Sequence, residues 1–131
     1  GAYSASKFAL EAVSETLHHE LRGDGIRIAV IEPGQFDTPL LANAVTAAGF
    51  DETSPYWERA ERFDAAIGRL SPDGRRAPAE VVAEAIVAVA FDPSAGLRHL
   101  VGADAELIMS VRSAGSFEDY DETMRAALDW E

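Results

Sequence analysis

The chain has 131 residues, 47% of them hydrophobic. It is long enough for one compact domain with a core and too short for two domains. Its formal charge of −12 argues against nucleic acid or an anionic membrane surface as a partner, and no apolar run reaches the roughly 20 residues that cross a bilayer. The absence of cysteine excludes disulfides, thiolate metal sites and thiol nucleophiles, and it suits the cytoplasmic location that we expect.

The first predicted element is an amphipathic helix from Tyr3 to about Leu21. Apolar residues recur along it at helical spacing, and small residues form a second stripe. The apolar positions are Leu10, Val13, Leu17 and Leu21, and the small ones are Ala5, Ala9, Ala12 and Thr16. The run Gly23-Asp24-Gly25 predicts the end of this helix, because glycine readily adopts the left-handed conformation that terminates helices.

A short strand is predicted next, over Ile26–Ile31. Its β-branched residues lie in a nearly continuous apolar stretch, which is typical of a strand covered on both faces in a parallel sheet. Pro33 and Gly34 then end the strand and turn the chain. Helix, turn and buried strand together predict half of an α/β unit.

The remainder of the chain predicts five further helices and one more strand. The helix after Pro78 is apolar nearly all round, so we expect it to be well buried. The last helix is expected to turn Phe117, Tyr120, Met124 and Leu128 inward. The other elements are helices near Pro39–Ala48, Pro55–Ile67 and Glu106–Arg112, a strand over Leu97–Val101, and a final helix over Phe117–Leu128. Because two strands alone support a parallel sheet poorly, further strands should belong to this sheet.

Tyr3 and Lys7, the single lysine of the chain, form the most informative pair of side chains. At i and i+4 they project from one side of a helix, which brings an ammonium near a phenol. A nearby positive charge favours the phenolate, which a free tyrosine with a pKa of about 10 rarely forms at neutral pH. Such a tyrosine can exchange a proton with an alcohol or carbonyl oxygen, although the same spacing also occurs by chance on many helices.

The wider sequence makes this pair specific. The string AYSASKFALEAVSETLHHEL, followed by GIRIAVIEPGQFDT, resembles the short-chain dehydrogenase/reductase family over its active-site helix and the next strand. The matching positions are Tyr3, Lys7, Pro33, Gly34 and Thr38. The resemblance continues more weakly through the helix after Pro78 and through RHLVGADAEL, and the Phe36 form of the loop resembles the branch with steroid- and retinol-type enzymes.

The resemblance implies a fold and a set of roles. The fold would be an α/β, partial Rossmann-type doubly wound parallel sheet of about two strands plus helices, with residues 1–131 forming the C-terminal part of one domain. Tyr3 would be the general acid or base. Lys7 would assist it and bind the nicotinamide ribose of NAD or NADP, while Thr38 and the backbone around Phe36 would hold the carboxamide. The implied cofactor-binding positions are therefore Tyr3, Lys7, Pro33, Gly34, Phe36 and Thr38.

The same resemblance places a substrate loop at about residues 39–70. Its aromatic side chains suit a lid over a small apolar alcohol or carbonyl substrate, and they equally suit local core packing. The sequence leaves both interpretations open.

The chain also departs from the family pattern. The only GxG is Gly23 and Gly25, at a helix end and with Ile28 where a third glycine should fall, so the glycine-rich diphosphate turn has no match. The family's catalytic serine and its supporting asparagine precede the tyrosine. We therefore expect the C-terminal half of such an enzyme, inactive by itself. The alternative is a catalytically silent binding or oligomerisation module. In either case we expect a homodimer or higher homo-oligomer, because the small-residue stripe of the first helix allows close helix contact and the resemblance implies that this helix forms a dimer interface in many family members.

Two rival chemistries lack their companion motifs. Ser4 to Lys7 satisfies the SxxK pattern of penicillin-recognising serine enzymes, but neither KTG nor SDN occurs in the chain. His19 and Glu20 begin an HExxH pattern whose second histidine is replaced by Gly23. We therefore predict no metal site.

Overall fold

The computed structural model describes residues 1–40, 43–44, 47–71 and 74–130. The chain divides into two compact units: unit 1 comprises Gly1–Pro33 and Glu80–Val101, and unit 2 comprises Gly34–Ala79 and Gly102–Glu131. In chain order the helices and strands are α1 (Ala2–Leu21), β1 (Val30–Pro33), β2 (Phe36–Asp37), α2 (Trp57–Gly68), β3 (Ala77–Pro78), α3 (Glu80–Phe91), β4 (Arg98–Val101), α4 (Ala103–Ala114) and α5 (Phe117–Leu128).

Unit 1 is built on a parallel strand pair. β1 pairs with β4, with Val30 opposite Arg98 and Pro33 opposite Val101, and α3 packs against both strands. α1 is followed by one turn of 3-10 helix, and Gly25 then takes the left-handed conformation with a φ of 73°. The α/β class and the parallel pairing are confirmed, and they are consistent with a partial Rossmann-type fold.

An ionic cluster connects three elements of unit 1. The Arg98 guanidinium donates to Glu11 and Glu15 of α1, the latter at 2.7 Å, and to Glu32 of β1 at 2.6 Å. The hydrogen bonds to Glu15 and Glu32 are the main reason that the pKa of Arg98 lies above its ordinary value. One cation on β4 therefore holds three carboxylates.

Arg27 makes a second set of hydrogen bonds from a cation within unit 1. Its guanidinium donates to the carbonyl oxygens of Val89 and Ala90, at 2.9 and 3.0 Å. These carbonyls belong to the last turn of α3, where a helix leaves its C=O groups without intrahelical donors. Arg27 thereby fixes the loop before β1 to the end of α3.

Unit 2 contains α2, α4 and α5 with a second, minimal strand pair. β2 pairs with β3 in parallel, Phe36 opposite Ala77 and Asp37 opposite Pro78. Sequence patterns did not predict this pair, since two residues are too few to show a period. The side chains that unit 2 buries are Phe36, Ala66, Ser71, Asp104, Ala105 and Leu128.

The start of the first strand was predicted incorrectly, and one expected helix is not found in the described residues. β1 begins at Val30 instead of Ile26, because in its register residues 26–29 would face residues 94–97, which form the connection after α3 and no strand. A helix was expected near Pro39–Ala48. Residues 39–40, 43–44 and 47–48 form turns or irregular backbone, and residues 41–42 and 45–46 lie outside the described part.

Two predictions about burial were also wrong. α3 has no buried residue, and its Phe91 is 85% exposed, because a two-stranded sheet covers only one side of a helix that is apolar all round. In α5, Leu128 is buried and Tyr120 and Met124 are half-buried, as expected, but Phe117 is 59% exposed. Phe117 lies in the first turn of α5, and the centre of its ring is 5.6 Å from the Arg112 guanidinium.

Candidate functional site

Tyr3 and Lys7 lie together in the first two turns of α1. The Lys7 Nζ stands 5.5 Å from the centre of the Tyr3 ring, so the cation faces the ring as the i, i+4 spacing predicts. Tyr3 is 64% exposed and Lys7 is exposed as well. Both polar ends are therefore accessible to a ligand at the start of the helix.

The backbone around this pair is held locally. The Ser6 hydroxyl donates to the carbonyl oxygen of Tyr3 at 2.7 Å, and the Ala5 N–H donates to that of Gly1 at 2.8 Å. The three residues between Tyr3 and Lys7 are small and exposed.

The loop after β1 carries the other predicted positions. Pro33 is the last paired residue of β1 and belongs to unit 1, whereas Gly34, Phe36 and Thr38 belong to unit 2. Phe36 is buried, while Thr38 is exposed in a bend. The structure thus brings Tyr3 and Lys7 together on one helix and Gly34 and Phe36 together around a residue that the sequence did not point to.

That residue is Asp104, in the first turn of α4. Its side chain is buried, with 4% exposure, and its Oδ2 accepts a hydrogen bond of 2.6 Å from the backbone N–H of Gln35. A Cβ at Gly34 would fall on this carboxylate, and a Cβ at Gly102 would lie 2.8 Å from its Oδ1. Two glycines therefore leave the space that the carboxylate occupies.

The Gln35 side chain makes a second attachment in unit 2. Its Nε2 donates to the carbonyl oxygen of Ile67, near the end of α2, at 2.8 Å. Within the described residues, the buried Oε1 of Gln35 and the buried hydroxyl of Ser71 have no hydrogen-bond partner. Gln35 is thus held through its backbone by Asp104 and through its side chain by α2.

One sequence signal could have identified Asp104. It comes three residues after Val101, at the end of the second predicted strand, and the Pro-Gly turn follows the end of the first. Because the carboxyl ends of neighbouring parallel strands meet at one sheet edge, an acidic residue there is a candidate partner for the turn. Hydrophobic periodicity carries no such information.

The predicted substrate loop contains two aromatic contacts. The Phe50 and Trp57 rings lie 5.5 Å apart and line an open depression of about 450 Å³, and the Phe63 ring meets Trp130 edge-on at 5.6 Å. In the same depression, the Thr53 hydroxyl and N–H donate to Asp51 and hold the pKa of that carboxyl below its usual value. These contacts show local packing and leave a lid function open.

None of the helices in the described part of the chain is both long enough and apolar enough to cross a membrane. Likewise, no group of three or more metal-binding side chains comes together there, His18 and His19 included.

Comparison with known proteins relates the first part of this chain to a protein family. Residues 1–49, which contain Tyr3, Lys7 and the whole loop through Thr38, match the family model described as short chain dehydrogenase. This segment is therefore similar to the short-chain dehydrogenases. The remaining 82 residues fall outside this match, so the similarity is carried by the Tyr3 helix, by β1 and by the Pro-Gly loop.

Three curated proteins that are similar to parts of this chain are named as dehydrogenases or reductases. 17-beta-hydroxysteroid dehydrogenase type 6 of Mus musculus is 38% identical over 60 residues, covering 46% of this chain and 18% of that protein. Retinol dehydrogenase 5 of Homo sapiens is 48% identical over 40 residues, covering 30% and 13%. NADPH-dependent 3-dehydrocapnine reductase of Ornithobacterium rhinotracheale is 34% identical over 83 residues, covering 63% and 29%. The chain thus spans less than a third of each relative, and no solved structure matches it.

Proposed function

We propose that the protein containing this chain is an NAD(P)-dependent oxidoreductase that interconverts an alcohol and a carbonyl compound. The observation that carries the proposal is the Tyr3 and Lys7 pair, exposed on one face of α1 within the segment that matches the short-chain dehydrogenases. Three oxidoreductases among the relatives support it.

The exposed polar groups fit the nicotinamide end of such a cofactor. The Lys7 ammonium has three N–H donors, and no carboxylate of the described residues lies within 4 Å of it, so it is available for ribose hydroxyls. The exposed Thr38 hydroxyl and the backbone around Phe36 offer donors and acceptors for a carboxamide, at the turn that Pro33 and Gly34 form. When bound, the nicotinamide supplies or accepts the hydride. Both NAD and NADP suit these residues, because the two cofactors share the nicotinamide end to which the residues are assigned.

Proton transfer is assigned to Tyr3. Its hydroxyl donates a proton to the carbonyl oxygen during reduction and takes one from the alcohol during oxidation. Lys7 is assigned an assisting role from the same face of α1, where its ammonium lies 5.5 Å from the centre of the Tyr3 ring. The exposure of Tyr3 leaves room for a substrate oxygen beside it.

The substrate is proposed to be small and apolar. The aromatic side chains of residues 39–70 would cover such a molecule. The names of two relatives, a hydroxysteroid dehydrogenase and a retinol dehydrogenase, support an apolar class.

Assembly into a homodimer or higher homo-oligomer is the second part of the proposal. The small-residue stripe of α1 (Ala5, Ala9, Ala12 and Thr16) is exposed, as is most of α3. Exposed apolar helix faces of this extent favour association with another subunit. If these 131 residues act alone, the same faces support the alternative function, a catalytically silent oligomerisation module in the cytoplasm.

The test uses the full-length protein. Replacing Tyr3→Phe removes the proton donor, so we expect turnover of a test alcohol to fall by about 100-fold or more, with NAD(P)H affinity changed by less than about twofold. Turnover is followed by NAD(P)H absorbance and affinity by fluorescence titration. The matched control is Tyr120→Phe in α5, which should keep full activity.

Three results would contradict the proposal or favour its alternative. Retained turnover in Tyr3→Phe would remove Tyr3 from proton transfer. A wild-type protein that binds neither cofactor, yet forms a dimer by light scattering, would favour the silent module. Turnover by the 131 residues alone would contradict the expectation that they are inactive by themselves.

A further inference from the structure

The buried carboxylate of Asp104 has an unusual relation to the Pro-Gly loop. Among the described residues it is the only charged side chain that is buried, and one of its two oxygens accepts a backbone N–H of the loop itself, that of Gln35. Burying a carboxylate without partners is costly, so such a group persists where a specific hydrogen bond uses it. The partner here is the backbone between Gly34 and Phe36.

The space around the carboxylate is shaped by glycine on two sides. Any side chain at Gly34 would collide with the Asp104 carboxylate. Gly102 has a φ of 105°, which favours glycine, and a Cβ there would meet the same carboxylate as well as the Phe36 ring at 3.3 Å. The position of the Asp104 carboxylate is therefore set by the absence of a side chain at Gly34 and at Gly102.

The hydrogen bonds of Gln35 hold the loop from two sides. The Asp104 carboxylate accepts a hydrogen bond from the Gln35 backbone N–H, and the carbonyl oxygen of Ile67 accepts one from the Gln35 side-chain amide. The next residue, Phe36, is buried and paired in β2, so the backbone that leads to the exposed Thr38 is fixed before any ligand arrives. A preformed loop loses less conformational freedom on binding than a mobile one.

We propose that Asp104 is a positioning residue for the nicotinamide-binding loop, residues 33–38. The inference rests on the proposed function, in which this loop holds the carboxamide. Asp104 touches neither cofactor nor substrate in this role and acts through the Gln35 backbone. Its removal should therefore weaken the part of cofactor binding that depends on the nicotinamide and leave the remainder unchanged.

The experiment compares two ligands on the full-length protein. NAD(P)H contains the nicotinamide, whereas ADP-ribose, or its 2′-phosphate if the wild type prefers NADP, lacks it. For Asp104→Ala we expect NAD(P)H affinity to fall by about 10- to 100-fold, the loss typical of a hydrogen bond to a charged group, with ADP-ribose affinity within about twofold. Glu106→Ala, an exposed carboxylate two residues further along α4, is the matched control and should bind both ligands as the wild type does.

The outcomes separate this inference from the proposed function. A wild type that binds neither ligand ends both. A wild type that binds both ligands, with an Asp104→Ala variant that loses both equally or neither, overturns the positioning role and leaves the proposed function intact. A selective loss of NAD(P)H affinity supports the role.

A conservative variant decides the matter if Asp104→Ala fails to fold. Asp104→Asn keeps one oxygen for the Gln35 N–H but sets an amide group against Gly34 and Gly102. We expect NAD(P)H binding to weaken by about threefold with ADP-ribose binding unchanged. Unchanged affinity for both ligands, or an equal loss for both, in a folded Asp104→Asn protein contradicts the proposal.

Discussion

The two units of this chain use their apolar residues in opposite ways. Unit 2 buries the apolar side chains of Phe36, Ala66, Ala105 and Leu128, whereas Val101 is the only residue buried in unit 1 among those described. Yet unit 1 contains α3, the most apolar helix of the chain. Apolar composition therefore does not by itself predict where the core lies, and unit 1 depends more on charged contacts made by Arg98 and Arg27.

The largest expected difference comes from the same substitution made in each unit. Phe36→Ala removes a ring that is 8% exposed and should lower the free energy of unfolding by about 3 kcal/mol, through lost burial and the cavity left behind. Phe91→Ala removes a ring that is mostly in solvent and should change it by less than about 0.5 kcal/mol. Urea denaturation of both variants measures the two values. Equal losses would contradict the contrast between the units.

A smaller effect is expected from the ionic cluster of unit 1. Arg98→Met leaves Glu11, Glu15 and Glu32 close together without their shared cation. We expect a loss of about 1 to 2 kcal/mol at low salt, reduced by the partial exposure of these side chains and shrinking as salt screens the repulsion among the carboxylates.

The control for this prediction lies in unit 2. Arg125→Met removes a surface cation 3.9 Å from Asp121, a contact typically worth less than about 0.5 kcal/mol. Denaturation at two salt concentrations compares the variants. A loss for Arg98→Met that does not depend on salt would mean that packing of the arginine stem, and not charge, holds this part of unit 1.

The smallest effect concerns the start of α5. The N–H and hydroxyl of Ser116 donate to the Asp119 carboxylate and lower the pKa of Asp119 below its ordinary value. Because the pKa is lower in the folded state, this stabilisation is present above the unfolded value, near 4, and is lost as the pH falls through the folded value. The Tm of the wild type should therefore exceed that of Asp119→Asn at pH 7, and the difference should vanish on acidification.

Thermal melts followed by circular dichroism at several pH values test this expectation. Asp121→Asn serves as the control, since that carboxylate lies beside Arg125 instead of at the N-terminus of α5. A Tm difference for Asp119→Asn that grows on acidification would show that the sign is wrong.

Local signals predicted most of the helices. The final helix was predicted over the observed range from its periodic apolar residues, and in the structure Ser116 and Asp119 form a capping box at its start. The run Gly23-Asp24-Gly25 likewise predicted the end of α1. The i, i+4 spacing of Tyr3 and Lys7 predicts that they share one helix face, and the resemblance of the wider sequence is what singles this pair out as a candidate site.

The elements that sequence reasoning missed depend on distant parts of the chain. The start of β1 is set by where β4 begins, 68 positions further along, and no pattern within Ile26–Ile31 contains that register. Asp104 meets Gln35 across 69 positions. Single-chain periodicity reports which face of an element is apolar, but it does not report which segment will cover that face or which backbone N–H a carboxylate will meet.

The short pairing of β2 with β3 has an evolutionary consequence. It brings Phe36–Asp37 beside Ala77–Pro78 and so closes residues 38–76 into one loop, which contains most of the proposed substrate region. The entropy of closing a flexible loop grows slowly with length, by about 0.6 kcal/mol for each doubling. Insertions in the irregular residues 47–56 should therefore cost little stability, whereas α2, which buries Ala66 and accepts the Gln35 amide at Ile67, should tolerate them poorly.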